Sequence, residues 1–231
     1  MLNLIAASAF FVLIHLMISG TRARDGLVAR LGQGPYLGAF SLLTVIGLVW
    51  LVFAYGQARG SPENEPYWSV GEASRQVQMV VQLLAVMLIV IGLSTRNPTS
   101  VRQEGALERP DVVRGILRVT RHPFLWGVAL WALGHLVING DRASLILFGS
   151  LLILAVTGTA SIDAKRKRAL GPAWDGFAAQ TSNIPFAAIV AGRQRLIWRE
   201  IGVWRILAGV AVYLALVLGH PHFTGVPALA G

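Results

Sequence analysis

Apolar and polar positions alternate along this chain in long blocks rather than at the short period of a strand. Uncharged runs cover Leu2 to Gly20, Pro35 to Ala58, Val77 to Leu93, Pro123 to Ile138, Ser144 to Ile162 and Ile206 to Gly219. Most approach the roughly 20 residues needed to cross about 30 Å of hydrocarbon at about 1.5 Å per residue. The pattern predicts an all-α fold, a polytopic membrane helix bundle of about six transmembrane helices, and a single domain over residues 1–231. Two spans are short: the fourth has 16 residues, and the sixth needs Ile201 to Arg205 to reach spanning length. A re-entrant or buried segment is the alternative for each. The first block lacks a basic leader region and is too long for a typical signal-peptide core, so it is expected to persist as a helix.

Within the spans, polar side chains are costly and tend to face protein rather than lipid. Ser8, Phe11, His15 and Ser19 recur at three and four, as do Arg75, Gln78 and Gln82, and each set predicts an inward stripe. For His15, ligand and hydrogen-bonded structural histidine both stand; the glutamines favour interhelical hydrogen bonding. In the fourth span Arg121 and His122 sit at the basic edge, Pro123 suits a first helical turn, and Gly127, Trp131 and His135 follow at steps of four. At roughly 100° per residue His122 and His135 point about 140° apart, so they form two sites rather than a pair. Asn97-Pro98-Thr99 predicts a helix-ending turn. Between Ser161 and Phe186, the basic run Lys165 to Arg168 is expected to be solvated. Trp174, Phe177, Ile184 and Phe186 predict a short amphipathic segment on the membrane surface.

The net charge of +9 could signal nucleic acid, but its placement argues for membrane orientation instead. Alternate connections hold 17 and 3 of the 20 Lys and Arg residues. This is the asymmetry of the positive-inside rule, and it puts both termini on the non-cytoplasmic side. The basic loops then contact anionic lipid headgroups, and no nucleic-acid partner is expected. Absence of cysteine excludes disulfides, iron–sulfur clusters and thiolate or covalent c-type haem attachment, leaving His, Asp, Glu and Tyr for metal or proton work.

A set of ordered stretches carries a family resemblance: His15 with Ser19 and Arg22, LGQGPYLGAFSLLT, RNPTSV, RVTRHPFLWGVALWALGHLVINGD, the region of Asp163, and TSNIPFAAIVAGR. Over nearly its whole length the chain resembles the NnrU family of bacterial membrane proteins. That family includes the plant 15-cis-ζ-carotene isomerase, an integral-membrane enzyme that binds haem b and isomerises one double bond of a polyene. The resemblance implies a bacterial inner-membrane protein with haem b as cofactor and His15 and His135 as metal ligands. It also implies a hydrophobic polyene or quinone-like ligand, with redox-dependent cis–trans isomerisation as the activity. Gly127 and Gly134 would leave room beside the macrocycle. Where the plant pattern has a cysteine three residues before the second histidine, this chain has Ala132. Helix rise places His15 and His135 on the order of 10 Å apart in depth, so alternative pairings are His15 with the layer of His122, and His135 with His220 or His222.

Two other functions follow from resemblance. Bacterial members are associated with nitrite and nitric oxide respiration, which implies a haem or electron-transfer factor for denitrification. RHPFLWG is also similar to the RHPxYxG motif of isoprenylcysteine carboxyl methyltransferases. That similarity implies a methyltransferase-like enzyme in which Arg121 and His122 contact an anionic cofactor, although Asp163 stands beside a basic run where those enzymes have adjacent glutamates.

Overall fold

The computed structural model describes residues 1–226 and Ala228. It is 75% helical, with no strand among the described residues. The helices are α1 (Leu2–Leu13), continuing as a π-helical turn Ile14–Ser19, α2 (Arg22–Leu31), α3 (Gln33–Arg59), α4 (Glu72–Ser94), α5 (Pro123–Asn139), α6 (Arg142–Leu170), α7 (Pro172–Gln180), α8 (Ala187–Val190) and α9 (Val203–Thr224). Five are long and apolar enough to cross a membrane: Leu2–Ser19, α3, α4, α6 and α9. Helix α5 is apolar but has only 17 residues, roughly 25 Å of rise. Pro123 opens it and Gly140 closes it. At φ +63° Gly140 takes a conformation that side chains disfavour, and a Cβ there would collide with the Trp68 carbonyl. The sixth expected span instead gains Val203 to Arg205, with Ile201 and Gly202 left outside it, and runs on to Thr224.

The chain divides into two compact units. In the unit of Met1–Gln78 with Ala132–Lys165, α1 packs against α3. Gly47 lies under Phe10, so close that a Cβ would come within 3.0 Å of that ring. Phe10 in turn meets Trp50 at 5.7 Å. Polar atoms in this pair satisfy each other: Trp50 Nε1 donates to Asn3 Oδ1 at 3.0 Å, and Asn3 Nδ2 to Gln57 Oε1 at 3.1 Å. Helix α3 reaches α6 through Tyr55, whose hydroxyl lies 3.0 Å from Ser144 Oγ and whose ring lies 5.9 Å from Phe148. The α3–α4 connection is tied to the α5–α6 turn by Tyr67 N donating to Gly140 O at 2.8 Å and by Arg142 on Glu65 and Tyr67.

In the unit of Met79–Trp131 with Arg166–Gly231, Ile91, Ile116, Leu117, Val119, Trp174, Phe177 and Ile201 form a buried cluster. Trp174 and Phe177 are each 2% exposed, so α7 turns its aromatic face into this core. That corrects the expectation of membrane-surface aromatics at these two positions; only Ile184 and Phe186 face outward. The reason is long-range: α7 has a protein core to cover, which its local amphipathicity does not reveal. Arg166 departs from the solvated basic run for a similar reason. It continues the buried helical stripe of Ala155 and Thr159, is 6% exposed, and is ion-paired with Glu104.

Candidate functional site

His15 sits in the π-turn, a feature that inserts an extra residue into a helix and often accompanies function. Its Nδ1 donates to the Phe11 carbonyl at 2.7 Å. In the neutral ring this leaves Nε2 as the lone-pair nitrogen, the arrangement in which imidazole ligates metals while a backbone acceptor fixes its orientation. Phe11 at 4.6 Å and Phe40 at 5.3 Å flank the ring. The predicted inward stripe holds for Ser8 and Phe11, both buried. Ser8 Oγ is buried with no hydrogen-bond partner among the described residues.

His135 lies in another aromatic environment of the same unit, stacked on Phe148 at 4.8 Å and 22°. Phe148 belongs to the Tyr55 end of α3, whereas Phe40 beside His15 belongs to the other. Helix α3 rises roughly 22 Å from Phe40 to Tyr55, and α6 roughly 20 Å from Phe148 to Ser161, whose hydroxyl meets Gly20. The two imidazoles thus lie beside different rings, His15 with Phe40 and His135 with Phe148 near the Tyr55 end of α3. Opposite ligands of one iron would need nitrogens roughly 4 Å apart, at about 2 Å per metal–imidazole bond. The residues fit an imidazole ligand at His15, whose flanking rings, Phe11 and Phe40, differ from the Phe148 ring stacked on His135. No cluster of three or more His, Cys, Asp or Glu with metal-binding geometry occurs among the described residues. Gly127 does not leave room for a macrocycle. A Cβ there would lie 2.7 Å from Ile89 Cγ1 and 2.8 Å from the Ala85 carbonyl, so α4 fills that space. His220 Nδ1 donates to Val226 O at 2.7 Å, at the exposed end of α9.

Arg121 and His122 belong to a buried hub in the other unit, built from three stretches singled out in the sequence. Asn97 Nδ2 and Thr99 Oγ1 donate to the Arg121 carbonyl at 2.9 and 3.1 Å, and Arg121 N donates to Ser182 O at 2.9 Å. Thr120 Oγ1 and Trp126 Nε1 both donate to Asn183 O, and Phe186 N to Val119 O. The Arg121 guanidinium lies over Trp174 at 6.0 Å. His122 is 2% exposed, and its backbone N donates to Thr120 Oγ1. Its ring is thus enclosed by protein, not presented at a basic rim. Gln82 performs the interhelical role expected of it, donating to Trp131 O at 3.2 Å.

Sequence reasoning missed the neighbours that define these places. Phe40 and Phe148 carry no signal distinguishing them from lipid-facing aromatics. Arg118 and Glu200 were also missed: they form a two-pronged ion pair at 2.8 and 3.0 Å, and Glu200 further accepts from Gly115 N at 2.7 Å. The Arg118 hydrogen bonds, with that backbone donor, lower the Glu200 carboxyl from its ordinary 4.5 to about 2.

The chain is 34% identical over 82 residues to the chloroplastic 15-cis-zeta-carotene isomerase of Zea mays, covering 36% of this chain and 22% of that protein. It is 31% identical over 114 residues to that of Arabidopsis thaliana, covering 48% and 31%. The chain thus spans less than a third of the length of these curated relatives. No solved structure matches it. A profile described as NnrU protein matches residues 3–228, and on that nearly full-length match the chain belongs to the NnrU family.

Proposed function

We propose that this protein is an integral-membrane isomerase of the NnrU family, acting on a cis double bond of a hydrophobic polyene, with haem b held by His15. The single observation that carries the reading is the posture of His15: Nδ1 committed to Phe11 O, the ring flanked by Phe11 and Phe40, and Nε2 left as the lone-pair nitrogen inside an apolar span. The relatives named 15-cis-zeta-carotene isomerase supply the reaction class. Haem, when bound, supplies an iron able to exchange electron density with a conjugated chain, which lowers the barrier to rotation about a double bond. The chain's own part is to orient one imidazole through a backbone hydrogen bond and to line it with flat apolar rings that exclude water. The charge asymmetry supports a bacterial inner-membrane location with both termini outside the cytoplasm.

An absorption spectrum of detergent-purified protein, with and without dithionite, tests this. A Soret band is expected that is lost in His15→Ala; its survival in His135→Ala would leave His15 as the one histidine ligand, and its loss there would add His135. A colourless preparation that takes up no added haem sinks the cofactor assignment. If haem is present but a deletion strain keeps its carotenoids and loses nitrite or nitric oxide reduction, the protein is an electron-transfer factor rather than an isomerase.

A further inference from the structure

After α4 ends at Ser94, residues 95–109 fold into turns around a concavity of about 460 Å³ lined by Arg96, Arg102, Gln103, Gly105, Ala106 and Arg109. Three guanidinium groups line it and no carboxylate does. The acid nearest in sequence, Glu104, is engaged by buried Arg166, and Asp111 pairs with Arg109 and Arg114. Arg96 and Arg102 form no ion pair among the described residues. Arg102 has φ +59°, a left-handed conformation costly for an arginine. The loop is fixed rather than loose: Gln103 Oε1 accepts from Asn97 N at 2.8 Å.

Its level is that of a membrane surface. Arg205, in the first turn of α9, donates to the Ser94 carbonyl, so the end of α4 and the start of α9 coincide in depth. Exposed Trp198 and Trp204 lie at the same end, the position of an interfacial aromatic belt. Arg96 is two residues beyond that boundary, where lipid phosphates lie. No aromatic ring lines the concavity to stack a nucleotide base.

We propose that Arg96, Arg102 and Arg109 form a binding site for the phosphate group of an anionic phospholipid. The ligand chemistry is a phosphate ester; the membrane-level position selects the lipid over a soluble ester. This site is separate in sequence and in unit from His15, and it stands whether or not the isomerase reading does.

The test titrates phosphatidylglycerol into delipidated full-length protein in neutral detergent, read by native mass spectrometry and by thermal unfolding. Phosphatidylglycerol is expected to remain bound and raise the midpoint, whereas phosphatidylcholine does neither. Arg96→Gln and Arg102→Gly should each weaken phosphatidylglycerol binding about fivefold. Arg30→Gln, at an exposed basic position on α2, should leave it unchanged. Arg102→Gly separates charge from folding, since glycine accepts φ +59° without strain: its lipid-free midpoint should equal or exceed that of the unsubstituted chain. Unchanged affinity in both pocket variants overturns the proposal, as does equal protection by phosphatidylcholine. Protection by glycerol 3-phosphate or inorganic phosphate at the same concentration overturns the lipid source and reassigns the pocket to soluble phosphate esters.

Discussion

Two side chains show how differently burial acts on polar groups. Ser8 places a hydroxyl in an apolar interior with no partner among the described residues, at a cost of about 1–3 kcal/mol. Ser8→Ala should therefore unfold at the same or a higher temperature than the unsubstituted chain. A stable variant that loses haem or turnover would instead identify the hydroxyl as a ligand-contacting group. Glu200 has the opposite circumstance, with Arg118 and Gly115 N both donating to its carboxylate. Because its folded value, about 2, lies below the ordinary 4.5, the charged form stabilises the fold. That contribution is complete above about 4.5 and is lost as pH falls toward 2. In Glu200→Gln, unfolding midpoints measured from about pH 6 down to about pH 2 should decline less steeply than in the parent.

At the scale of elements, spacing across single helices decides which glycines matter. Gly127 admits α4, and Gly127→Ala should destabilise by about 1–3 kcal/mol through the clash with Ile89 and Ala85. Gly149, on α6, has nothing within 4 Å of the point where a Cβ would stand, so Gly149→Ala should be neutral or stabilise by up to about 1 kcal/mol. Thermal unfolding of the two variants, side by side, checks the contrast. The spans themselves were legible because hydrocarbon thickness imposes a length on any crossing helix. Five of the six blocks reappear with ends shifted by five residues or fewer, the last of them extended back in α9 to include Arg205, and α6 continues well beyond Ile162. The inward stripe of Ser8 and Phe11 was legible for the same reason. Beyond Leu13 the stripe continues at His15, packed against Phe11 and Phe40, but the π-turn that carries it was not legible, because no propensity announces such a turn. Likewise Trp174 and Phe177 read as amphipathic in isolation; only the cluster they fill, assembled from residues far apart in sequence, makes them core.

For the whole molecule, the distribution of Lys and Arg makes a prediction that the absence of cysteine renders easy to test. Gly71 and Gly105 both have open space around them and fall on opposite sides of α4 in the chain. A cysteine introduced at Gly71 should react with a membrane-impermeant maleimide in intact cells, and one at Gly105 only after permeabilisation. The reverse labelling would invert the orientation and leave the fold untouched.

The hub joining Asn97, Thr99, Arg121 and Asn183 carries a further consequence. Nearly every acceptor in it is a main-chain carbonyl, and its side chains are consumed in holding loops to one another. RNPTSV, RHPF and SNIPF are thus masonry in this chain. A change in the span bearing His15 would leave that masonry standing, so these stretches fix the building and not by themselves the trade.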